Sequence, residues 1–327
     1  FSQDNKKLQE FLYKYVGKGN GKDILYQIEN GKIKPSKKLI DCVSSMFEGN
    51  KEFVLLDEQE IAYQNIVDTA LNSNGRKTII VKGGPGTGKS VVSLNAFAEI
   101  LRNGINIKFV APNASFRTVI VETLSQNNKG SRQRLANLFS GSSSFYDSAP
   151  KTFDAIIVDE AHRLKGAGTY MYKGVNQVAD IIKASEVNVF FIDDNQRIRP
   201  NDIGTASEIK RIATMYKSEI VEMELEAQYR CAGAEGFINW IDHTLQIRET
   251  ANYDGWDNKS FEFEICSTPH EVYEKISEKS QSGFKARILA GYAWPWTSEK
   301  DGNKNGEVFD VSIPEHDFKM PWNSRLA

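Results

Sequence analysis

Short, nearly continuous apolar runs at Thr78–Val81, Ile107–Val110, Ala155–Val158 and Val189–Ile192 stand out from a polar background. Apart from Lys108 they lack polar alternation, which predicts strands buried on both faces of a parallel sheet. Ile220–Leu225 alternates instead and predicts a strand with one wetter face. Helical periodicity fills the intervals. Ile61, Ile66, Val67 and Leu71 follow the polar start Asp57-Glu58-Gln59-Glu60, and a second helix from about Lys89 to Arg102 is closed by Asn103-Gly104. Strand and helix in alternation predict a doubly wound α/β domain over about residues 51–231.

The flanks read differently. Residues 1–50 hold nine Lys against six Asp or Glu, with helical patterns such as Leu8, Phe11, Leu12 and Tyr15, and predict an accessory segment. Residues 126–150 are polar, Ser-rich and partly basic, which predicts a surface insertion; Gly166–Tyr170 predicts a flexible loop. Beyond Cys231 the pattern mixes again. Phe261, Phe263 and Ile265 alternate as a strand, Thr268-Pro269-His270-Glu271 carries a capping box, and Ala286–Ala290 suggests another strand. Residues 232–327 thus predict the start of a second domain. The chain opens at Phe1 without Met and ends at Ala327 inside no recognisable element, so the expectation is a sequence cut short at its end and starting downstream of its true start.

Composition narrows the classes. At 327 residues the chain is long enough for about two domains. Its 41 basic and 43 acidic residues give a net charge of −2, which excludes coating nucleic acid by bulk positive charge and leaves room only for a local basic groove. Cys42, Cys231 and Cys266 are too scattered for a disulfide scaffold or a CxxC zinc site, and a reducing, cytoplasmic setting is the expectation. No apolar run approaches the ~20 residues a membrane span needs, so no membrane partner is expected.

The chemistry concentrates at two strand ends. Gly83-Gly84-Pro85-Gly86-Thr87-Gly88-Lys89-Ser90 matches G-x-x-x-x-G-K-[ST] in full, between a predicted strand and a predicted helix. Glycines there let backbone N–H groups curl around phosphate oxygens at a helix N-terminus. Lys89 is expected to reach the β- and γ-phosphates of ATP, and Ser90 to ligate Mg²⁺. Ala155–Val158 carries Asp159-Glu160 to the end of its strand, where open α/β sheets bind ligands. Asp159 is expected to hold Mg²⁺ and Glu160 to orient or deprotonate an attacking water, which favours hydrolysis over transfer to a small acceptor.

Asp159-Glu160-Ala161-His162 has the form of a DEAH box; Asp193-Asp194-Asn195-Gln196 supplies D-x-x-Q at another strand end, and Gln228-Tyr229-Arg230 follows. In that order the set resembles superfamily 1 helicases, specifically the Schlafen-type, DUF2075 group, over about residues 40–325. The resemblance implies a RecA-like P-loop NTPase core with a partial second RecA-like domain. It implies that Gln59 reads adenine, that Asp193 and Gln196 sense the γ-phosphate and couple it to nucleic acid, and that Arg230 stabilises charge on the transferring phosphoryl group. The residues alone leave a second, less favoured reading open for each: Gln59 as a plain helix N-terminal residue, Gln196 as a turn residue and Arg230 as a surface or salt-bridging arginine. His162 is expected to couple rather than to act as base or ligand. Two departures are visible: Ile192 stands where the family has Gly, and the later helicase motifs are not found before Ala327.

For nucleic acid the candidates are Phe116 and Arg117, in the position of the family's contacting loop, and Arg163 after the DEAH box. Lys129, Arg132, Arg134 and Lys165 add charge, and Trp294-Pro295-Trp296 reads either as a stacking wedge or as buried tryptophans. The expected function is ATP hydrolysis coupled to binding of, or translocation on, single-stranded DNA or RNA. The alternative is an ATP-dependent switch or scaffold in a defence or signalling complex, with a protein partner or fused domain. A P-loop kinase fits less well, and the guanine motif N-K-x-D of a GTPase is lacking.

Overall fold

The structure is a computed structural model that describes residues 55, 57–112, 114–125, 132–226, 235–247, 249–256, 262–291, 293–297 and 308–322. The N-terminal stretch 1–50 and Arg230 lie outside the described residues, as does the side chain of Phe116. The chain divides into two compact units, Phe1–Gly255 and Trp256–Ala327.

In the first unit, α1 (Glu58–Asn72) leads into β1 (Lys77–Gly83), α2 (Lys89–Arg102) and β2 (Ile107–Val110). Then come α3 (Ala114–Ser125), α4 (Arg132–Leu138), β3 (Phe139–Ser140), β4 (Phe153–Val158), α5 (Gln177–Ala184), β5 (Ser185–Ile192), α6 (Ala206–Met215), β6 (Glu219–Leu225) and α7 (Glu235–Thr244). The sheet has six strands in the order β3-β2-β4-β5-β1-β6, and every pairing is parallel. This is a doubly wound α/β fold, as the apolar runs predict, and the RecA-like core that the resemblance implies. Their continuity has a direct cause: Ile79 and Val81 pack into the core on one face of the sheet while Ile80 packs on the other. Phe97, Phe109 and Phe139 lock the first face with ring centroids 5.3–5.6 Å apart. At the edge, β6 keeps the wetter face its alternation predicts, with Glu222 bridging Lys82 (2.9 Å) and Lys210 (2.6 Å).

Residues 132–145 correct the reading of 126–150 as a surface insertion. They contribute a sheet strand, β3, and bury Leu135, Phe139 and Phe145. A two-residue strand and isolated apolar positions in a Ser-rich stretch carry too little periodicity to be seen.

The second unit contains α8 (Pro269–Gln281), β7 (Val311–Ile313) and β8 (Phe318–Met320), the last two antiparallel. The N-cap half of the capping box forms, with Thr268 Oγ1 accepting from the Glu271 N–H (3.2 Å), while the Glu271 carboxylate reaches one residue further back to the Ser267 N–H (2.9 Å). The strands read at 261–265 and 286–290 are absent from the described residues there, and Ile265 and Leu289 are 87% and 91% exposed. Alternation makes a strand only where another edge accepts its hydrogen bonds. Trp294 is half-buried and donates to the Ser312 carbonyl (2.9 Å), a structural role.

Candidate active site at the ends of β1, β4 and β5

The strand order decides what meets at the site. Because β5 lies between β1 and β4, the D-x-x-Q segment leaving β5 emerges between the Gly-rich loop after β1 and the carboxylates after β4. Sequence separation hides this; topology creates it.

The loop 83–90 turns from β1 into α2 with Gly86 and Gly88 both at φ +84°. Gly88 is required twice over, since a Cβ there would also strike the Gln59 side-chain amide. Gln59 is buried and donates through Nε2 to the Thr87 carbonyl (3.0 Å), so the start of α1 is fastened to the loop. Lys89 is buried and its ammonium donates to the carbonyls of Gly83 (2.6 Å) and Gly84 (2.8 Å). It therefore stands in the mouth of the loop. Thr87 Oγ1 donates to the Gly84 carbonyl (3.0 Å) and closes the turn.

Asp159 is 2% exposed, and burial raises its pKa to about 6 against the opposing pull of the Ser90 hydroxyl and Lys89. A carboxylate so starved of solvent gains most from a cation. With the Ser90 hydroxyl it forms a pair of hard oxygen donors, and among the described residues no cluster of His, Cys, Asp and Glu makes a closed metal cage. That donor set fits Mg²⁺, which keeps water and phosphate oxygens in its shell.

Glu160 sits in the left-handed region (φ +53°, ψ +40°), a conformation a non-glycine residue holds only where its surroundings enforce it. His162 lies beside its carboxylate. Its Nε2 stands 3.1 Å from Glu160 Oε2, and its Nδ1 accepts the Asp193 N–H (3.3 Å). The acceptor at Nδ1 assigns the imidazole proton to Nε2, facing the glutamate. Hydrogen bonding to His162, and then Arg163, hold Glu160 below the usual carboxylate range despite partial burial. The line continues: Asp193 Oδ2 accepts from Gln196 Nε2 (2.8 Å), and Asp193 Oδ1 from the Asn195 N–H (3.1 Å). Glu160, His162, Asp193 and Gln196 thus form one connected polar chain across β4 and β5.

Of the residues expected from sequence, the structure brings together Gln59, the loop 83–90, Asp159, Glu160, Asp193 and Gln196. The nucleic-acid candidates behave differently. Arg117 donates to the Ala111 carbonyl and lies against Gly141, so it braces the end of β2. Arg163 places its Nε 3.4 Å from Glu160. Glu58 was not foreseen: its carboxylate accepts the Glu226 N–H (2.8 Å), so α1 also holds the exit of β6. A helix-initial glutamate carries no sequence signal for such a tie. Gly204 is another, since a Cβ there would run into the Ala161 carbonyl; it seats the loop after β5 against the DEAH segment.

A parallel sheet with this loop, this acidic pair and this third strand end defines a helicase-like P-loop ATPase domain. The chain belongs to the family described as the Schlafen group 3 DNA/RNA helicase domain, which matches residues 76–327. Among curated proteins it is 26% identical over 280 residues to the uncharacterized Saccharomyces cerevisiae protein YPL245W, covering 75% of this chain and 59% of that protein. The chain therefore spans little more than half the length of that relative. Similar solved structures include AMPPCP-bound DnaA from Aquifex aeolicus (16% identity, TM-score 0.30, 71% of this chain and 64% of that one). Domain III of the Thermotoga maritima replication initiation protein DnaA is another (11% identity, TM-score 0.31, 73% and 91%). Likeness at that level carries no functional argument.

Proposed function

We propose that this chain hydrolyses ATP with Mg²⁺ and couples nucleotide state to single-stranded DNA or RNA. The observation that carries the reading is the polar chain from Glu160 through His162 and Asp193 to Gln196. It joins the carboxylate that would handle the water to the segment at which the helicase family couples nucleotide to nucleic acid.

In this reading the N–H groups of residues 84–90 and the Lys89 ammonium bind the β- and γ-phosphates, and Gln59 faces the adenine. Ser90 and Asp159 would hold Mg²⁺, which supplies charge neutralisation on the phosphate oxygens. Glu160 orients the attacking water: its pKa is held low, so it stays ionised at neutral pH and accepts a hydrogen bond. His162 and Asp193 hold that carboxylate in place. A change at the γ-phosphate that moves Glu160 is felt at Gln196 through the His162 contact and the two Asp193 hydrogen bonds that lie between them. Arg230 takes the arginine-finger role.

The test is steady-state ATP turnover with and without single-stranded oligonucleotide, with Lys89→Ala as blank. Several-fold stimulation is the expected result. Equal turnover on every DNA and RNA tested would overturn the coupling and leave the nucleotide switch in its place.

A further inference from the structure

We propose that the turn Thr169–Tyr172 is a base-stacking pin for single-stranded nucleic acid, with Lys173, Arg197 and Arg199 as its phosphate contacts. This rests on the nucleic-acid reading above and adds where the strand lies on this domain.

The turn projects from the loop after the DEAH segment. Tyr172 N–H donates to the Thr169 carbonyl (3.0 Å), and Met171 takes φ +61°, a costly value for a large side chain. At its tip Tyr170 and Met171 are 89% and 82% exposed. A flexible loop would let such side chains fold back; this one is built to hold them out. Tyr172 is buried and its hydroxyl donates to Asp180 on α5, pinning the turn from behind. Asn201 donates to Thr169 Oγ1 (3.3 Å), and its carbonyl takes the Gly166 N–H (3.3 Å).

Those last bonds tie the turn to the loop that begins one residue after Gln196. Asp202 organises that second loop, accepting the N–H groups of Ile198 (3.2 Å) and Arg199 (2.8 Å) and pairing with Lys165 across the gap. Ile198 is left 73% exposed. The two loops thus form one rigid surface attached to the polar chain of the ATP site.

Charge selects the occupant. Lys173, Arg197 and Arg199 lie on these loops and make no ion pair among the described residues. The carboxylates here are engaged: Glu160 by His162 and Arg163, Asp202 by Lys165, Asp193 by Gln196, and Asp194 by the Ala206 N–H. Cations without an ion pair among the described residues, on two joined loops that also expose Tyr170, Met171 and Ile198, match a single strand, which offers phosphates and unstacked bases together.

The experiment is fluorescence anisotropy of the whole chain with short oligo(dT) and oligo(rU) over a salt series, alongside thermal unfolding and turnover on ATP alone. Tyr170→Ala is expected to weaken binding about ten-fold, the worth of one stacked base, and Tyr170→Phe to retain it. Replacing Lys173, Arg197 and Arg199 by Ala together should lower the slope of log K against log salt by about 2, at about 0.7 per phosphate contact. Both variants should keep the wild-type unfolding midpoint and ATP-only turnover. If wild type binds and both variants bind with its affinity and slope, the pin is wrong and the coupled ATPase stands. If wild type neither binds nor is stimulated by either strand, the nucleic-acid reading itself fails and the pin fails with it.

Discussion

The two compact units use the same kinds of residue to very different ends. In the first, the four inner strands β1, β2, β4 and β5 each have a strand on either side, only β3 and β6 stand at the edges, and helices cover both faces of the sheet. In the second, a pair of three-residue strands is the only sheet among the described residues, and α8 buries none of its residues. Apolar content does not separate them. What separates them is whether each apolar side chain has a second surface to meet. The first unit holds Glu160 in a strained conformation and Asp159 out of water; among the described residues of the second unit no adjacent pair of carboxylates is held so.

The sharpest way to break that comparison is chemical. If the reacting groups all belong to the first unit, Glu160→Gln removes the charge facing the water and should lower turnover by about 10²–10⁴-fold, the usual worth of a positioned base. ATP affinity, measured with a fluorescent analogue, should stay within a few-fold of wild type. A glutamine that turns over normally would mean that water is activated elsewhere.

That outcome also bears on what the sequence could reveal. The loop 83–90 and the acidic pair were legible because function there needs fixed residue types at fixed spacing, and β1, β2, β4 and β5 because burial on both faces forces continuous apolar runs. The links were not legible. Nothing in the spacing of His162 and Asp193 says that a backbone N–H of one meets Nδ1 of the other, since that depends on β5 lying next to β4. Nor does Glu58 announce its bond to Glu226, far along the chain. The misread strands in the second unit have the converse cause, for alternation at Phe263 and Ile265 specifies a face without supplying a partner edge.

Packing offers the next largest effect. Phe190 lies fully buried in β5, so Phe190→Ala should cost about 3–5 kcal/mol by loss of contacts and an unfilled cavity. Leu289 is 91% exposed in the second unit, and Leu289→Ala should stay within about 0.5 kcal/mol. Urea unfolding of the two variants measures the contrast. Comparable losses would show that the second unit packs Leu289 against something that its exposure here does not display.

The smallest effect tests the same contrast through protons. Ionisable groups of the second unit such as Glu264 and Lys275 sit in water and pair with each other, whereas Asp159 is shut away and titrates at about 6. A carboxyl whose folded pKa lies above its unfolded value of 3.8 binds protons more tightly when folded. Its contribution to stability is therefore complete below about pH 4 and is lost as pH rises through about 6. The rise amounts to roughly 2 pKa units, which caps the loss at about 3 kcal/mol. Other carboxylates titrate in this window too, so the comparison must be with Asp159→Asn, which keeps their titration and removes this one. In metal-free buffer without nucleotide, the stability of wild type relative to Asp159→Asn should fall between pH 4 and pH 7. Adding Mg²⁺ and a non-hydrolysable ATP analogue should reverse the sign for wild type alone, because a cation at Ser90 and Asp159 favours the ionised carboxylate. A difference that stays flat with pH would mean that water reaches Asp159 and that the first unit is less sealed at its site than its core implies.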